Sequence, residues 1–313
     1  MADPTIFILM AVRNGARHLP EQLASLQAQH YPHWKVMISD DGSSDESLAI
    51  CRDFASTQPE GRVDIVAGPQ AGATMNFLHL IEQAPAGTTL AFSDQDDVWL
   101  PRKLARAAEA LIAHPAAPVH YSARTFITGP DLGLIGPSPR FLRPFGLRNA
   151  LVQACTAGNT SVFNPRAAAI LKAGAASARA AGIVSHDWWS YQLISAAGGA
   201  ILKDDEPVLL YRQHGTNEMG RNDTWQAQMR RLSMLFDGSF ASWLLANNQA
   251  LRDSMPFLPA ASNNIVERFG EALHLPGPMA ARELAKLGIY RHDRPGTAAL
   301  YLAAATGRLR SVS

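Results

Sequence analysis

The sequence predicts an α/β fold, a doubly wound parallel sheet followed by a helical C-terminal region. Three observations carry this. Strand-like and helix-like apolar periodicities alternate four times over about the first third of the chain. The strand-like runs close in polar or acidic turns, as they do where a parallel sheet presents its carboxyl ends to a ligand. From Thr224 onward the apolar residues Trp225, Met229, Leu232 and Leu235/Phe236 fall at helical spacing.

Thr5–Ala11 is an apolar, β-prone run ending in the turn Arg13-Asn14-Gly15, and helical spacing through Leu19, Leu23 and Leu26 follows over residues 18–30. Lys35–Ser39 is a second strand, closed by Asp40-Asp41-Gly42-Ser43-Ser44-Asp45, where Ser44 or Asp45 can cap a helix over Glu46–Ser56. Val63–Ala67 is a third strand. Gly68–Gly72 is a turn, and a helix follows over Asn76–Glu82. A fourth strand, Thr88–Phe92, leads through Asp94-Gln95-Asp96-Asp97 to a helix over Pro101–Ala113 with proline in its favoured first turn. Further on, Val119–Ser122, Ser161–Phe163, Ala200–Leu202 and Val208–Tyr211 read as strands and Ala167–Ala180 as a helix. The Pro/Gly cluster between 129 and 146 reads as a long loop able to act as a lid. The organisation expected is a catalytic domain over 1–220 and a helical region over 221–313 that serves packing, oligomerisation or membrane association.

With 47% hydrophobic and 18% charged residues the chain is globular rather than disordered. Its net charge of +1 lacks the basic footprint of a general nucleic-acid binder. Residues 1–220 carry 17 Lys+Arg against 20 Asp+Glu, and residues 221–313 carry 11 against 7, so the tail is mildly basic. Cys51 and Cys155 are far apart and in no metal-ligand spacing. Two such cysteines suit free thiols in a reducing compartment better than a disulfide framework. No apolar run approaches the length of a spanning helix, and the start of the chain does not read as a signal peptide. The expectation is a cytoplasmic protein, soluble or peripheral to a membrane.

Asp94-x-Asp96 carries the most chemistry. Carboxylates two apart at a strand end point the same way and repel unless a cation sits between them. Hard oxygen ligands suit Mg²⁺ or Mn²⁺, ions usually shared with substrate phosphates. Alternatively, the stretch is a solvated acidic loop.

The succession ILMAVRNG, VMISDDGSSDES, SDQDDVWLPRK, SHDWW and LYRQHGTN resembles the family 2 glycosyltransferases of GT-A fold, nearest to the bacterial surface-polysaccharide, rhamnosyltransferase-like branch. The resemblance covers about residues 5–220. It implies a Rossmann-like mixed sheet flanked by helices, a nucleotide-sugar donor, a divalent ion and an inverting transfer to a glycan acceptor. Val12-Arg13 departs from the usual first motif, and Arg13 either reaches a donor phosphate or is simply exposed.

By motif position, Asp41 is expected to read the nucleotide base and ribose. Asn76 is expected to contact the donor. Asp96 is expected to bind the ion, and Asp94 to meet ribose or a metal-bound water. Asp97, the extra carboxylate, reads as a cap for the helix begun at Pro101. Asp187 matches the acceptor-activating base, with Trp188 and Trp189 available to stack on a sugar. Arg212 and His214 alternate on a strand and share a face. The first could neutralise the leaving diphosphate and the second supply a further metal ligand, although a lone histidine there is more often structural. Gly158 and Asn159 are weaker candidates for an acceptor pocket. The function expected is a metal-dependent (Mn²⁺ or Mg²⁺) inverting glycosyltransferase using dTDP-rhamnose or a UDP-sugar on a growing, lipid-linked or protein-linked glycan. The competing readings are a metal-dependent phosphohydrolase and a catalytically silent nucleotide-sugar-binding scaffold. A nicotinamide-binding enzyme would need a Gly-x-Gly-x-x-Gly turn after the first strand, and only Gly15 is present there.

Overall fold

The computed structural model describes residues 4–213 and 238–310. The helical spacing read at Trp225–Phe236 and the candidate ligand His214 lie outside the described residues. The chain forms two compact units, one from residues 1–140, 156–175 and 199–214, the other from 141–155, 176–198 and 215–313. Two segments inside the first 220 residues therefore belong to the second, mainly helical unit.

In the first unit, β1 (Ile6–Val12), β2 (Trp34–Asp40), β3 (Val63–Ala67) and β4 (Thr89–Ser93) run parallel in the order β3-β2-β1-β4, with α1 (Leu19–Gln27), α2 (Ser47–Ser56) and α3 (Ala73–Gln83) between them in sequence. Every residue of β1 is buried. A central parallel strand is covered on both faces, which is why it reads as an unbroken apolar run rather than an alternating one. Ile6, Ile8, Met10 and Val12 pack with Val36, Ile38 and with Leu19, Leu23 and Leu26 of α1. Burying each such side chain stabilises the fold by roughly 1.5–3 kcal/mol.

Past β4 the sheet is mixed, which corrects the all-parallel reading and agrees with what the resemblance implies. The order continues β4-β8-β6-β9-β5, where β5 is Val98–Trp99, β6 Val119–Thr128, β8 Val162–Phe163 and β9 Ala200–Arg212; α4 (Lys103–Ile112) follows β5. β8 is antiparallel to both β4 and β6, and β5 is antiparallel to β9. Apolar periodicity marks a strand but carries no information about its direction, so the reversal was hidden. Phe92 and Phe163 meet across this seam, ring centroids 4.9 Å apart, and His120 lies 4.4 Å from Phe163.

The two short strands expected at 200–202 and 208–211 are one strand of thirteen residues. The charged stretch Lys203–Glu206 separates the two runs in sequence, yet Asp204 is satisfied in place by Arg106 Nε, one Arg106 terminal nitrogen and Tyr121 Oη, each at 2.8 Å. The register jumps from Ala123↔Asp204 to Arg124↔Pro207, so the extra residues are absorbed as a bulge. The loop expected over 129–146 contains β7 (Leu134–Pro137), which forms a hairpin with β6. Leu134 and Ile135 supply the strand, and the surrounding prolines and glycines masked it.

The second unit holds α5 (Leu147–Ala150), the end of α6 (Pro165–Ala181), α7 (His186–Ala196), α8 (Ser239–Asp253), α9 (Ala260–His274), α10 (Gly277–Lys286) and α11 (Arg294–Ala305). Leu244, Leu251, Val266, Phe269, Leu273, Leu284 and Leu300 are buried there. Asn149 ties three pieces together, donating to the Tyr290 carbonyl (3.2 Å) and accepting from Tyr191 Oη (2.8 Å). Among the described residues, no helix is long and apolar enough to cross a membrane.

Candidate functional site

Because β1, β2 and β4 are parallel, the turns after Val12, Asp40 and Ser93 gather at one edge of the sheet. These turns carry Arg13, Asp41 and Asp94–Asp97. Ligands of open α/β sheets bind at such an edge.

Asp41 is 2% exposed, and both carboxylate oxygens are engaged by backbone: Oδ1 accepts from Gln70 N (2.6 Å) and Oδ2 from Gly72 N (2.9 Å). The 68–72 turn curls to present these donors, with φ of +56° at Gln70 and +89° at Gly72. Each oxygen keeps lone-pair capacity for a further donor. Asn76, on α3, is buried. Its amide donates to the Ser39 carbonyl (2.9 Å) and accepts from Ser39 Oγ (2.5 Å). Asp41 and Asn76 are brought together at Gly68, where a Cβ would stand 2.8 Å from one Oδ1 and 2.9 Å from the other.

Asp94 and Asp96 are half-buried, and Asp97 is fully buried. Asp97 Oδ2 accepts from Asn159 Nδ2 (2.7 Å), and Oδ1 has no hydrogen-bond partner among the described residues. Burial, reinforced by like charge on Asp96 and Asp94, holds the Asp97 carboxyl well above the usual carboxylate range. Its expected role as a helix cap is therefore corrected, since α4 starts without a side-chain cap and Asp97 faces inward to Asn159. Lys103 is also fully buried. Its Nζ donates to the Asn159 carbonyl (2.6 Å) and lies 3.0 Å from the centre of the Trp99 ring, and burial pulls its ammonium well below the usual lysine range. Asn159 thus braces the acidic turn from behind.

Arg212 is 2% exposed at the end of β9. Its Nε donates to the Asp96 carbonyl (3.0 Å), one terminal nitrogen to the Pro130 carbonyl (2.5 Å), and the other pairs with Glu21. It therefore places a cation directly against the Asp96 backbone. The Arg13 side chain is exposed, while its backbone is held by Gln95, with Arg13 N to Oε1 at 2.9 Å and Nε2 to Arg13 O at 3.0 Å.

Asp187 belongs to the second unit, in the first turn of α7. Ser185 is the N-cap, and its hydroxyl donates to Asp187 Oδ1, which also accepts from Trp188 N (2.7 Å). Trp188 is buried, its indole N–H donating to the Ala150 carbonyl (2.7 Å) and its ring stacked on Phe240 at 6.0 Å; Trp189 is buried as well. Desolvation of the His186 ring brings its pKa down to about 4, so the imidazole is neutral at neutral pH.

The donor set at Asp94 and Asp96, two half-buried hard carboxylates at a ligand-binding edge, fits a divalent ion completed by phosphate oxygens. Among the described residues, no three His, Cys, Asp or Glu side chains form a site able to hold an ion unaided. Sequence reasoning missed Glu21, Gln95 and Lys103. Lys103 reads as a surface cation in a helix's first turn, and Gln95 as a spacer between two acids.

The model for glycosyl transferase family 2 matches residues 7–169, about half of the chain. The dTDP-rhamnosyl transferase RfbG of Shigella flexneri is 27% identical over 232 residues, 72% of this chain and 78% of that protein. The UDP-Glc:alpha-D-GlcNAc-diphosphoundecaprenol beta-1,3-glucosyltransferase WfgD of Escherichia coli is 28% identical over 104 residues, covering 33% of this chain and 40% of its own length. A solved structure of the mannosyltransferase PcManGT from Pyrobaculum calidifontis, in complex with GDP-Man and Mn²⁺, shares the fold with a TM-score of 0.50 at 17% identity, over 99% of this chain and 88% of that one. The mixed sheet with helices on its faces is the GT-A fold. This chain belongs to glycosyl transferase family 2 and is a glycosyltransferase.

Proposed function

We propose that this enzyme moves a sugar from a nucleoside-diphosphate donor, dTDP-rhamnose or a UDP-sugar, to a hydroxyl of a growing bacterial surface glycan, inverting the anomeric configuration. The observation that carries the reading is the meeting of Asp41, Asp94 and Asp96 at one sheet edge. The similarity to a dTDP-rhamnosyl transferase favours the first donor, and the diphosphoundecaprenol in the name of WfgD favours a lipid-linked acceptor.

In this reading Asp41 accepts hydrogen bonds from the nucleoside, and Asn76 fixes the floor beneath it. Arg13 reaches a donor phosphate. Asp96, with Asp94 and, from beyond the described residues, His214, would hold Mn²⁺ or Mg²⁺, which when bound offsets charge on the departing diphosphate. Arg212 adds a fixed positive charge behind Asp96. Asp187 takes the acceptor hydroxyl proton as that oxygen bonds to the anomeric carbon. The bond from that carbon to the diphosphate breaks on the opposite face. The exposed side chains of Arg294, Leu302 and Arg310 in the mildly basic C-terminal part support peripheral attachment to an anionic membrane face.

Calorimetric titration of UDP, dTDP and GDP, each with and without Mn²⁺, tests the donor site. The expected result is metal-dependent binding of one nucleotide, weakened at least tenfold by Asp96→Ala. Binding of none would remove the reading. Salt-sensitive sedimentation with anionic vesicles is expected if the membrane attachment holds.

A further inference from the structure

The three strand-end turns are not independent loops. Parallel pairing of β1 with β4 stops at Met10↔Ser93, and that of β1 with β2 stops at Val12↔Asp40. Beyond the last rung, a side chain takes over from the sheet. The Gln95 amide both accepts from Arg13 N (2.9 Å) and donates to Arg13 O (3.0 Å), a two-bond ring of the kind that neighbouring strands make. The amide lies so near Gly15 that a Cβ there would fall 2.3 Å from Oε1 and 2.5 Å from Cδ. Only a glycine leaves room for it.

The far side of the same segment is pinned to the turn that follows β2. Asn14 N donates to Ser43 Oγ (2.9 Å), Gly15 N to Ser47 Oγ (2.8 Å) and Ala16 N to Asp45 Oδ2 (3.0 Å), while Ser44 N donates back to Asn14 Oδ1 (2.8 Å). Asn14 holds a left-handed backbone, φ +49°, so the segment has one defined shape rather than a slack extended one. Residues 13–16 are therefore a bridge. One abutment is the turn carrying Asp41, and the other is the residue between Asp94 and Asp96.

We propose that Gln95 is a positioning residue that couples the metal half of the donor site to its nucleoside half through this bridge. The inference rests on the donor-site reading above. Two ligands that share one site help each other only if the groups binding them are held in register, and the help is reciprocal. Gln95 sets that register, since a shift of the acidic turn drags Arg13, and Arg13 drags the Ser43–Ser47 turn.

The test is a set of nucleotide titrations with and without Mn²⁺ on the wild-type protein, Gln95→Ala, Gln95→Glu and Gly15→Ala. The readout is the ratio of nucleotide Kd without metal to that with it, alongside hydrogen exchange at residues 13–16. In Gln95→Ala the ratio is expected to fall tenfold or more, metal-free nucleotide Kd to stay within about threefold, and exchange at 13–16 to rise. Gln95→Glu keeps the volume and the acceptor but loses the donor, and is expected to lie between wild type and Gln95→Ala. Gly15→Ala pushes the amide off from the other side and is expected to match Gln95→Ala. A ratio within twofold of wild type in Gln95→Ala, or in Gln95→Glu should the alanine variant not fold, overturns the coupling while leaving the donor site standing. A wild-type protein with no metal-dependent nucleotide binding overturns the donor site, and this inference with it.

Discussion

The strand-end turns of the first unit and the start of α7 in the second hold their acidic residues in different ways. Asp41 is gripped at both oxygens by backbone N–H groups, Gln95 ties the acidic turn to residue 13, and Asn159 and Arg212 brace that turn from behind. Asp187 is tied within its own helix N-terminus, to the Ser185 hydroxyl and to Trp188 N, and carries its charge beside the His186 ring. The first arrangement fixes a shape that several loops must agree on, which suits a rigid, multidentate ligand such as a nucleotide diphosphate. The second leaves one carboxylate with short local ties, which suits a group that exchanges a proton.

The largest effect should come from removing that carboxylate. Asp187→Asn keeps the size and most of the cap but cannot accept a proton. Transfer is expected to drop by about 10²–10⁴-fold in kcat, with nucleotide affinity unchanged within a few-fold. Steady-state kinetics beside calorimetry checks both numbers. Near wild-type turnover would strike Asp187 from the chemistry and erase the contrast between the two regions.

Gly68→Ala attacks the over-determined side. Its Cβ would meet Asp41 Oδ1 at 2.8 Å, Asn76 Oδ1 at 2.9 Å and Asp41 Cα at 3.0 Å. Neither carboxylate nor amide is free to move, since both are tied to backbone, so an overpacking cost of about 1–3 kcal/mol is expected together with weakened nucleotide binding. Chemical denaturation and the same titration read it out. A neutral result would show that the turn is softer than its hydrogen bonds suggest.

Histidine burial gives the comparison a pH axis. His120, fully buried with Nε2 at 2.9 Å from Ser161 Oγ, is held down to about 3 by desolvation, with Lys203 adding to the effect. An unfolded histidine titrates near 6.5, so below that pH the unfolded chain takes up a proton that the folded one refuses. The stability it gives is therefore complete above pH 6.5 and is lost as pH falls toward 3, by about 2 kcal/mol between pH 7 and pH 5. His120→Gln should flatten that slope in denaturation curves measured across the interval. An unchanged slope would place the acid sensitivity elsewhere, with His186 in the second unit the next to test.

How far the sequence reveals all this differs by region for a physical reason. β1, β2 and β4 were legible because central parallel strands are continuous apolar runs between polar turns, and the half-exposed edge strand β3 by its short β-branched run. Asp94-x-Asp96 was legible as a candidate because closely spaced carboxylates at a strand end are conspicuous. The reversal at β8 and the joining of β9 through Asp204 were not, because strand direction and the partner of a charge depend on contacts remote in sequence. The same holds for the candidate residues. Asp41 and Asp187 stand out in the sequence by their motifs, whereas Gln95 and Lys103 gain their meaning only from Arg13, Gly15, Trp99 and Asn159, residues brought to them by the fold.

The smallest effect, and the finest probe of the second region, is Ser185→Ala. Loss of an N-cap serine ordinarily costs about 1 kcal/mol. Here Trp188 N sits 3.5 Å from Ser185 Oγ but 2.7 Å from Asp187 Oδ1, so the aspartate already performs most of the capping. The stability loss should accordingly fall at the low end, about 0.5 kcal/mol by denaturation, while transfer slows because Asp187 loses the hydroxyl that orients it. Should the cost exceed about 2 kcal/mol instead, Ser185 would be the main support of α7 and Asp187 a minor contributor to its cap. The two regions would then differ less in how firmly they are built than in how many residues share the load.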